Sequence, residues 1–192
     1  RYLSNNSSGK MGYSLAQAAA DLGAEVTLIS GPTNLKVPNV LKNFISVESA
    51  LEMYKKVDEY FKNTDIFIAC AAVADYRPKE YKKEKIKKSD SDLVIELVRN
   101  PDILLEMSKK KEKQLLVGFA AETNEIKENA LKKLEKKNLD IIVANNASVM
   151  GRDENVIEII RKDRTSVEIS QKSKMELAYD ILSEVICELE RR

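Results

Sequence analysis

Short apolar runs alternate with amphipathic helical patterns along this chain of 192 residues, and this alternation constrains its fold more than any other feature. The strand-like runs lie at 25–30, 44–47, 65–71, 93–98, 115–120 and 139–144. Apolar residues at helical spacing predict helices at 13–22, 49–62, 102–111, 125–137 and 174–191. Strands that alternate with helices favour a parallel sheet that is covered on both faces. We therefore predict an α/β fold, with a Rossmann-like, doubly wound and mostly parallel sheet.

The last third of the chain adds a different pattern. Two runs, 156–160 and 166–169, flank a short polar connection and predict an appended antiparallel hairpin. The Lys-rich stretch 75–90 matches neither strand nor helix, and we interpret it as a mobile loop over a site. We predict one domain over 1–192. Because the chain opens on a polar loop rather than on a strand, we expect the first strand of the sheet to be absent from it.

That opening loop, Ser-Asn-Asn-Ser-Ser-Gly-Lys at 4–10, leads directly into the first helical pattern. Free N–H groups and the dipole at a helix N-terminus attract anions, which makes Ser7, Ser8, Gly9 and Lys10 candidates for a phosphate-binding loop. The glycine spacing of nucleoside-triphosphatase loops is missing, and the dinucleotide fingerprint is matched only in part. In the alternative interpretation, Ser7 or Ser8 is simply an N-cap.

Composition excludes several classes of function. The 32 Lys and Arg residues nearly balance the 31 Asp and Glu residues, which argues against a dedicated nucleic-acid binder. The chain has no histidine, so His-based catalytic triads and His-rich zinc sites are excluded. Its two cysteines, Cys70 and Cys187, do not make a disulfide framework, which suits a reducing, cytoplasmic setting. No apolar stretch approaches the roughly 20 residues that a membrane span needs.

Small and polar residues follow several of the predicted strands. They occur at 71–76, 118–123 and 145–148, and Asn-Pro-Asp-Ile at 100–103 adds a helix entrance. In open α/β sheets, ligands bind beyond the carboxyl ends of the strands, so this edge is the predicted site. Each segment also has a purely structural interpretation: Asp75 as a turn cap, for example, or Phe119 as a core residue.

Six segments in one order resemble a known family. They are 1–12, 69–76 (Ala-Cys-Ala-Ala-Val-Ala-Asp-Tyr), 84–88 (Glu-Lys-Ile-Lys-Lys), 100–103 (Asn-Pro-Asp-Ile), 118–123 (Gly-Phe-Ala-Ala-Glu-Thr) and 137–140 (Lys-Asn-Leu-Asp). Together they resemble phosphopantothenoylcysteine synthetase, the phosphopantothenate–cysteine ligase of coenzyme A biosynthesis. The resemblance implies joining of 4′-phosphopantothenate and L-cysteine through an acyl cytidylate, with CTP consumed and pyrophosphate and CMP released. Activation of a carboxylate by a nucleoside triphosphate also calls for Mg²⁺ as charge neutraliser. The resemblance also implies a homodimer and a flavin-dependent decarboxylase that is fused upstream or separate.

The resemblance assigns roles to individual residues. It implies that Asn5 holds the acyl cytidylate, Arg1 serves the second half-reaction, Ala71 affects turnover and Lys85 is needed to form the acyl cytidylate. The implied nucleotide-binding residues are Ala69, Cys70, Ala71, Asp75, Lys85, Pro101, Asp102, Ile103, Leu104, Phe119, Lys133 and Lys137. Protein ligands for Mg²⁺ stay unassigned, and we expect the ion to be held mainly by phosphates.

Two other functions remain open at this point. A short-chain NAD(P)-dependent dehydrogenase would share the fold, and Tyr81 and Lys85 have the spacing of that family's catalytic pair. A binding module without chemistry would instead use the lysines of 79–88 as a basic patch for nucleic acid or an acidic partner.

Overall fold

The computed structural model describes residues 4–5, 7–80, 84, 93–122, 125–146 and 154–192. The helices are α1 (Lys10–Asp21), α2 (Ala50–Phe61), α3 (Ile103–Lys109), α4 (Ile126–Lys136) and α5 (Lys174–Glu190). The strands are β1 (Thr27–Ser30), β2 (Asn43–Ser46), β3 (Ile66–Ala69), β4 (Tyr76–Pro78), β5 (Leu97–Arg99), β6 (Leu115–Glu122), β7 (Ile141–Asn146), β8 (Glu154–Arg161) and β9 (Ser166–Ser173). None of the described helices is long and apolar enough to span a membrane.

The main sheet has the strand order β3-β6-β7-β8-β9. Strand β6 pairs in parallel with β3 and β7, whereas β8 runs antiparallel to both β7 and β9. Strands β1 and β2 form a separate parallel pair. These pairings confirm the predicted α/β fold and its appended hairpin.

Helices cover both faces of the sheet because its central strands are apolar on both sides. One face of β6 and β7, carrying Leu115, Val117, Ile141 and Val143, packs with residues of α1 and α5. The opposite face, with Leu116, Ala120, Ile142 and Ala144, packs with residues of α2, α3 and α4. This doubly covered centre is what holds the carboxyl ends of β3 and β6 in place.

Two predictions for the region before α3 are wrong. The run 93–98 was expected to form a strand of the parallel sheet, but β5 comprises Leu97–Arg99 and pairs antiparallel with β4 in a separate ribbon. The stretch 75–90, interpreted as loop throughout, contains β4. The apolar pattern at 93–98 suggested a buried strand, but several of its side chains are exposed to solvent. Val94 is 89% exposed and Leu93 is 62% exposed. Residues 81–83 and 85–90 lie outside the described residues.

Gly118, in the middle of β6, lets α3 approach the sheet. A Cβ atom built on it would lie 2.7 Å from Leu139 Cδ1 and 3.0 Å from Leu104 Cδ2, and both leucines are buried. We expect Gly118→Ala to lower the free energy of unfolding by about 1–3 kcal/mol, as overpacking does in other cores. Urea unfolding measures the change.

Gly12, inside α1, provides the matched control. A Cβ there would meet no atom within 4 Å, and glycine costs about 0.5–1 kcal/mol relative to alanine within a helix. Gly12→Ala should therefore leave stability unchanged or raise it. Equal losses for the two variants would contradict the explanation by close packing.

Candidate functional site

The loop before α1 is tied directly to the segment that follows β3. The Asn5 Nδ2 group donates to the backbone oxygens of Ala72 and Val73, at 3.3 Å and 3.2 Å. These two segments are 67 residues apart in the chain. The contact places the predicted anion-binding loop beside the carboxyl end of β3, as expected for an α/β site.

A second asparagine holds the same segment from the side of α3. The Asn100 Nδ2 group donates to Ala74 O at 2.8 Å, and the Asn100 backbone N–H donates to Asp75 O, also at 2.8 Å. Four consecutive carbonyl groups, those of residues 72–75, therefore accept hydrogen bonds from the two asparagines. Within the described part of the chain, the N–H groups of Ala72, Val73 and Ala74 have no protein acceptor. Backbone N–H groups without a protein acceptor beyond the carboxyl end of a strand are available to a ligand.

The entrance of α1 is built on glycine rather than on a serine cap. Gly9 is the N-cap with φ of 73°, and its missing Cβ would lie 2.9 Å from Thr33 Cγ2. Ser7 Oγ accepts from the Gly9 N–H, and Ser8 Oγ accepts from the Lys10 N–H, both at 3.4 Å. The N-cap interpretation of Ser7 or Ser8 is therefore wrong, because the capping position belongs to a glycine that tolerates a left-handed backbone.

Lys133 and Lys137 reach the site from the C-terminal end of α4. Lys133 Nζ donates to the backbone oxygen of Phe119, at 2.5 Å, in the middle of β6 and beside the carboxyl end of β3. Lys137 Nζ lies 2.8 Å from Asp102 Oδ1 and 2.7 Å from Asp102 Oδ2. Asp102 is also the N-cap of α3, where its Oδ1 accepts from the Leu105 N–H. The two lysines thus link the middle of β6 and the entrance of α3 to one helix.

The carboxyl group of Asp102 has a lowered pKa. Partial burial raises the pKa, but hydrogen bonds from Lys137 and from the Leu105 N–H lower it more, and the charges of Lys137 and Lys133 add to this effect. Asp102 is therefore a carboxylate at neutral pH. Its negative charge holds the Lys137 ammonium group, whose side chain is only 15% exposed, at the entrance of α3.

Replacing Asp102 by asparagine removes this ion pair and keeps the cap, because asparagine caps helices as well as aspartate does. A group whose folded pKa is lowered contributes stability that is present above its ordinary pKa and is lost as the pH falls through the folded value. We expect Asp102→Asn to cost about 0.5 kcal/mol at pH 7, since Asp102 is 43% exposed and solvent screens the pair. The difference should vanish well below the ordinary value of 3.8. Urea unfolding at pH 7 and at pH 3 tests this, and an equal loss at both pH values would exclude the ion pair as its cause.

The thiol of Cys70 has a raised pKa. Burial raises its pKa to about 12, so it stays protonated at neutral pH. Cys70 packs instead against the core on the α1 side of the sheet. Among the described residues, no three Cys, Asp or Glu side chains come together in a way that could hold a metal ion.

The structure brings most of the predicted site residues that it describes to one edge of the sheet. Arg1 and Lys85 lie outside the described residues. Ile103 and Leu104 are buried in the core between α3 and the sheet, so only their backbone groups can meet a ligand. Sequence reasoning missed the amide of Asn100 and the guanidinium of Arg77, which donates to Asn100 Oδ1 at 3.2 Å. The only available signal was the asparagine directly before Pro101.

Comparisons with known proteins identify the family of this chain. The model of the DNA/pantothenate metabolism flavoprotein C-terminal domain matches residues 1–188. The coenzyme A biosynthesis bifunctional protein CoaBC of Bacillus subtilis (strain 168) is 47% identical over 189 residues, which are 96% of this chain and 47% of that protein. The chain thus spans about half the length of the curated relatives it matches.

Solved structures show the same fold. The C-terminal domain of a CoaBC protein superposes with a TM-score of 0.87 at 43% identity, covering 100% of this chain and 88% of that one. The H337A mutant of Cab2, in complex with phosphopantothenate-cysteine, has a TM-score of 0.78 at 17% identity, covering 100% of this chain and 80% of that one. The chain therefore belongs to the family of the DNA/pantothenate metabolism flavoprotein C-terminal domain, which confirms the resemblance to phosphopantothenoylcysteine synthetase.

Proposed function

We propose that this chain is the phosphopantothenate–cysteine ligase part of a coenzyme A biosynthesis protein. It joins 4′-phosphopantothenate and L-cysteine in the cytoplasm, using CTP, and releases pyrophosphate and CMP. The observation that carries this proposal is the convergence on residues 72–75 of the loop before α1 and the Asn-Pro-Asp-Ile entrance of α3. Family membership and the name of the 47% identical relative support the same reaction.

The reaction needs an activated carboxylate, because an amine does not displace oxygen from a free carboxylate in water. A carboxylate oxygen of 4′-phosphopantothenate attacks the α-phosphorus of CTP, and the bond from that phosphorus to pyrophosphate breaks. The cysteine amine then attacks the acyl carbon, the amide bond forms, CMP leaves with the electrons of the broken bond, and the amine releases a proton to solvent. Both steps crowd negative charge at one place, so fixed donors and cations lower the barrier.

The described residues supply such groups. The N–H groups of Ala72, Val73 and Ala74 offer donors to an anionic group, and the entrance of α1 adds its helix dipole. Lys133 and Lys137 provide positive charge beside the carboxyl end of β3 and the entrance of α3. Asn5 Nδ2 is engaged with two backbone oxygens, so its side-chain oxygen is the atom left to meet a donor on a ligand.

The described side chains do not form a cage for Mg²⁺, since no carboxylate cluster is present among them. Mg²⁺ commonly binds through substrate phosphates and keeps several waters, and we propose that it enters with the nucleotide.

The comparisons do not support the dehydrogenase alternative, since the matched family is that of the CoaBC C-terminal domain. Tyr81 and Lys85, the pair that suggested it, lie outside the described residues. We propose that a flavin-dependent decarboxylase accompanies this chain, as the word bifunctional in the names of its relatives suggests.

We also propose that the ligase acts as a homodimer. Exposed apolar side chains cluster along and beside the β4–β5 ribbon: Tyr76, Leu93, Val94, Ile95 and Leu97. A concentration of exposed apolar side chains in one region is typical of a protein interface. Sedimentation equilibrium tests the proposal, and a monomer at micromolar concentration would refute it.

Pyrophosphate release tests the ligase proposal. With CTP, Mg²⁺, 4′-phosphopantothenate and cysteine, pyrophosphate should appear in equal amount to the amide product, and omission of 4′-phosphopantothenate should stop its release. Fluorescence of NADPH should not change when the protein is added. Pyrophosphate release that does not depend on 4′-phosphopantothenate would contradict the proposal.

A further inference from the structure

We propose that Asn100 is a positioning residue of the ligase, which sets the distance between the segment after β3 and the entrance of α3. The inference rests on the proposed function, in which both segments line the nucleotide site. Asn100 itself is not among the residues that the resemblance assigns to nucleotide or substrate. Its side-chain amide binds protein atoms at both ends, so its role is to hold other groups in place.

Three polar groups of Asn100 are engaged at the same time. Its backbone N–H donates to Asp75 O at 2.8 Å, and its Nδ2 donates to Ala74 O at 2.8 Å. Its Oδ1 accepts from Arg77 Nη1 at 3.2 Å, and the same Nη1 atom donates to the backbone oxygen of Arg99. Asn100 is thus fastened to the segment after β3 and to the β4–β5 ribbon.

The orientation of the Asn100 amide follows from its two partners. A guanidinium group only donates, so the amide atom that faces Arg77 must be the oxygen. A carbonyl only accepts, so the atom that faces Ala74 must be the nitrogen. Both partners demand the same orientation, which gives the side chain one satisfied arrangement.

The position of Asn100 is transmitted directly to α3. The next residue, Pro101, has a fixed φ and suits the start of a helix. Asp102 then caps α3 and holds Lys137. A shift of Asn100 relative to Ala74 would therefore change the distance between residues 72–75 and the Pro101–Lys137 side of the site.

The test is Asn100→Asp in the full-length protein. Aspartate keeps the backbone bond to Asp75 and the contact with Arg77, but it places an oxygen against the Ala74 carbonyl in place of a donor. We expect the KM for CTP to rise about tenfold, as the loss of a satisfied hydrogen bond predicts. The KM for cysteine should change less than about twofold, because cysteine enters after the nucleotide has reacted.

A readout that needs no catalysis accompanies the kinetics. Thermolysin should cleave native protein between Ala72 and Val73 about tenfold faster in Asn100→Asp, because cleavage follows local opening of the segment. Asn63→Asp, on the exposed turn after α2, is the control and should match the wild-type protein in both measurements.

Unchanged cleavage in Asn100→Asp would overturn the inference. A second pattern would also overturn it: Asn100→Asp loses thermal stability and kcat falls, but the ratio of the KM for CTP to the KM for cysteine stays as in the wild-type protein. That pattern is the one expected of a residue with a purely structural role. Absence of product from the wild-type protein would refute the proposed function. The cleavage rates do not depend on activity, so they decide separately whether Asn100 holds the segment.

Discussion

Replacing Asp140 by alanine is expected to lower the free energy of unfolding by about 3–5 kcal/mol, the usual cost of leaving one member of a buried ion pair alone. The Asp140 side chain is only 5% exposed and accepts from Lys111 Nζ at 2.6 Å and from the Leu116 N–H at 2.7 Å. Arg192 forms a further ion pair with it. Burial lowers the pKa of Lys111 even with Asp140 present. Without Asp140, that ammonium group would lose its charged partner and keep only the backbone oxygen of Asn138, and the Leu116 N–H at the start of β6 would lose its acceptor.

Chemical denaturation measures this loss, and Asp65→Ala is its matched control. Asp65 pairs with Lys113 at 3.1 Å, but the two side chains are 75% and 70% exposed, so the pair should contribute less than about 1 kcal/mol. Similar losses for the two variants would contradict the explanation that burial makes the interactions of Asp140 more stabilising than an exposed ion pair. Because the cluster lies at the start of β6 and β7, opposite the candidate site, folded Asp140→Ala protein should retain its affinity for nucleotide.

Replacing Lys85 by glutamine is expected to slow formation of the acyl cytidylate by about 10²–10³-fold, the range found when a preorganised group that stabilises developing charge is removed. This prediction rests on the resemblance, in which Lys85 offsets the charge that builds as the carboxylate attacks the α-phosphate. Rapid-quench measurement of the first turnover, without cysteine, isolates that step.

The neighbouring lysines make the Lys85 prediction specific. Lys82→Gln and Lys83→Gln remove the same charge from the same stretch of sequence and should leave the first step within about threefold of the wild-type rate. If all three variants lost activity equally, a general basic patch would explain the result better than a catalytic lysine.

Much of the fold could be predicted because local pattern and tertiary packing agree. The helix predicted at 49–62 is found as Ala50–Phe61, capped by Ser49, since its apolar spacing matches the face that packs in the core. The prediction that 93–98 forms a strand of the parallel sheet failed, because an apolar pattern does not show which part of the protein its side chains contact. There Val94 is 89% exposed, and hydrogen bonds to β4 decide the local structure.

The candidate site, like the fold, could be predicted only in part. Its location could be predicted, because the carboxyl ends of parallel strands meet at one edge whatever the side chains are. Its hydrogen bonds could not, because they depend on distances between segments far apart in sequence. Nothing in the letters Asn-Pro-Asp-Ile shows that Asn100 holds Ala74 or that Asp102 holds Lys137. Likewise, Ile103 and Leu104 belong to a matched motif, yet their side chains are core.

The central claim, ligation through an acyl cytidylate, is tested most directly by mass spectrometry of the full-length protein with 4′-phosphopantothenate, Mg²⁺ and CTP. Without cysteine, the acyl cytidylate should accumulate. After cysteine is added, it should disappear as the amide product and CMP appear in equal amounts. A parallel reaction with ATP determines the nucleotide preference. If neither nucleotide gives an acyl nucleotide or pyrophosphate, the ligase account is wrong.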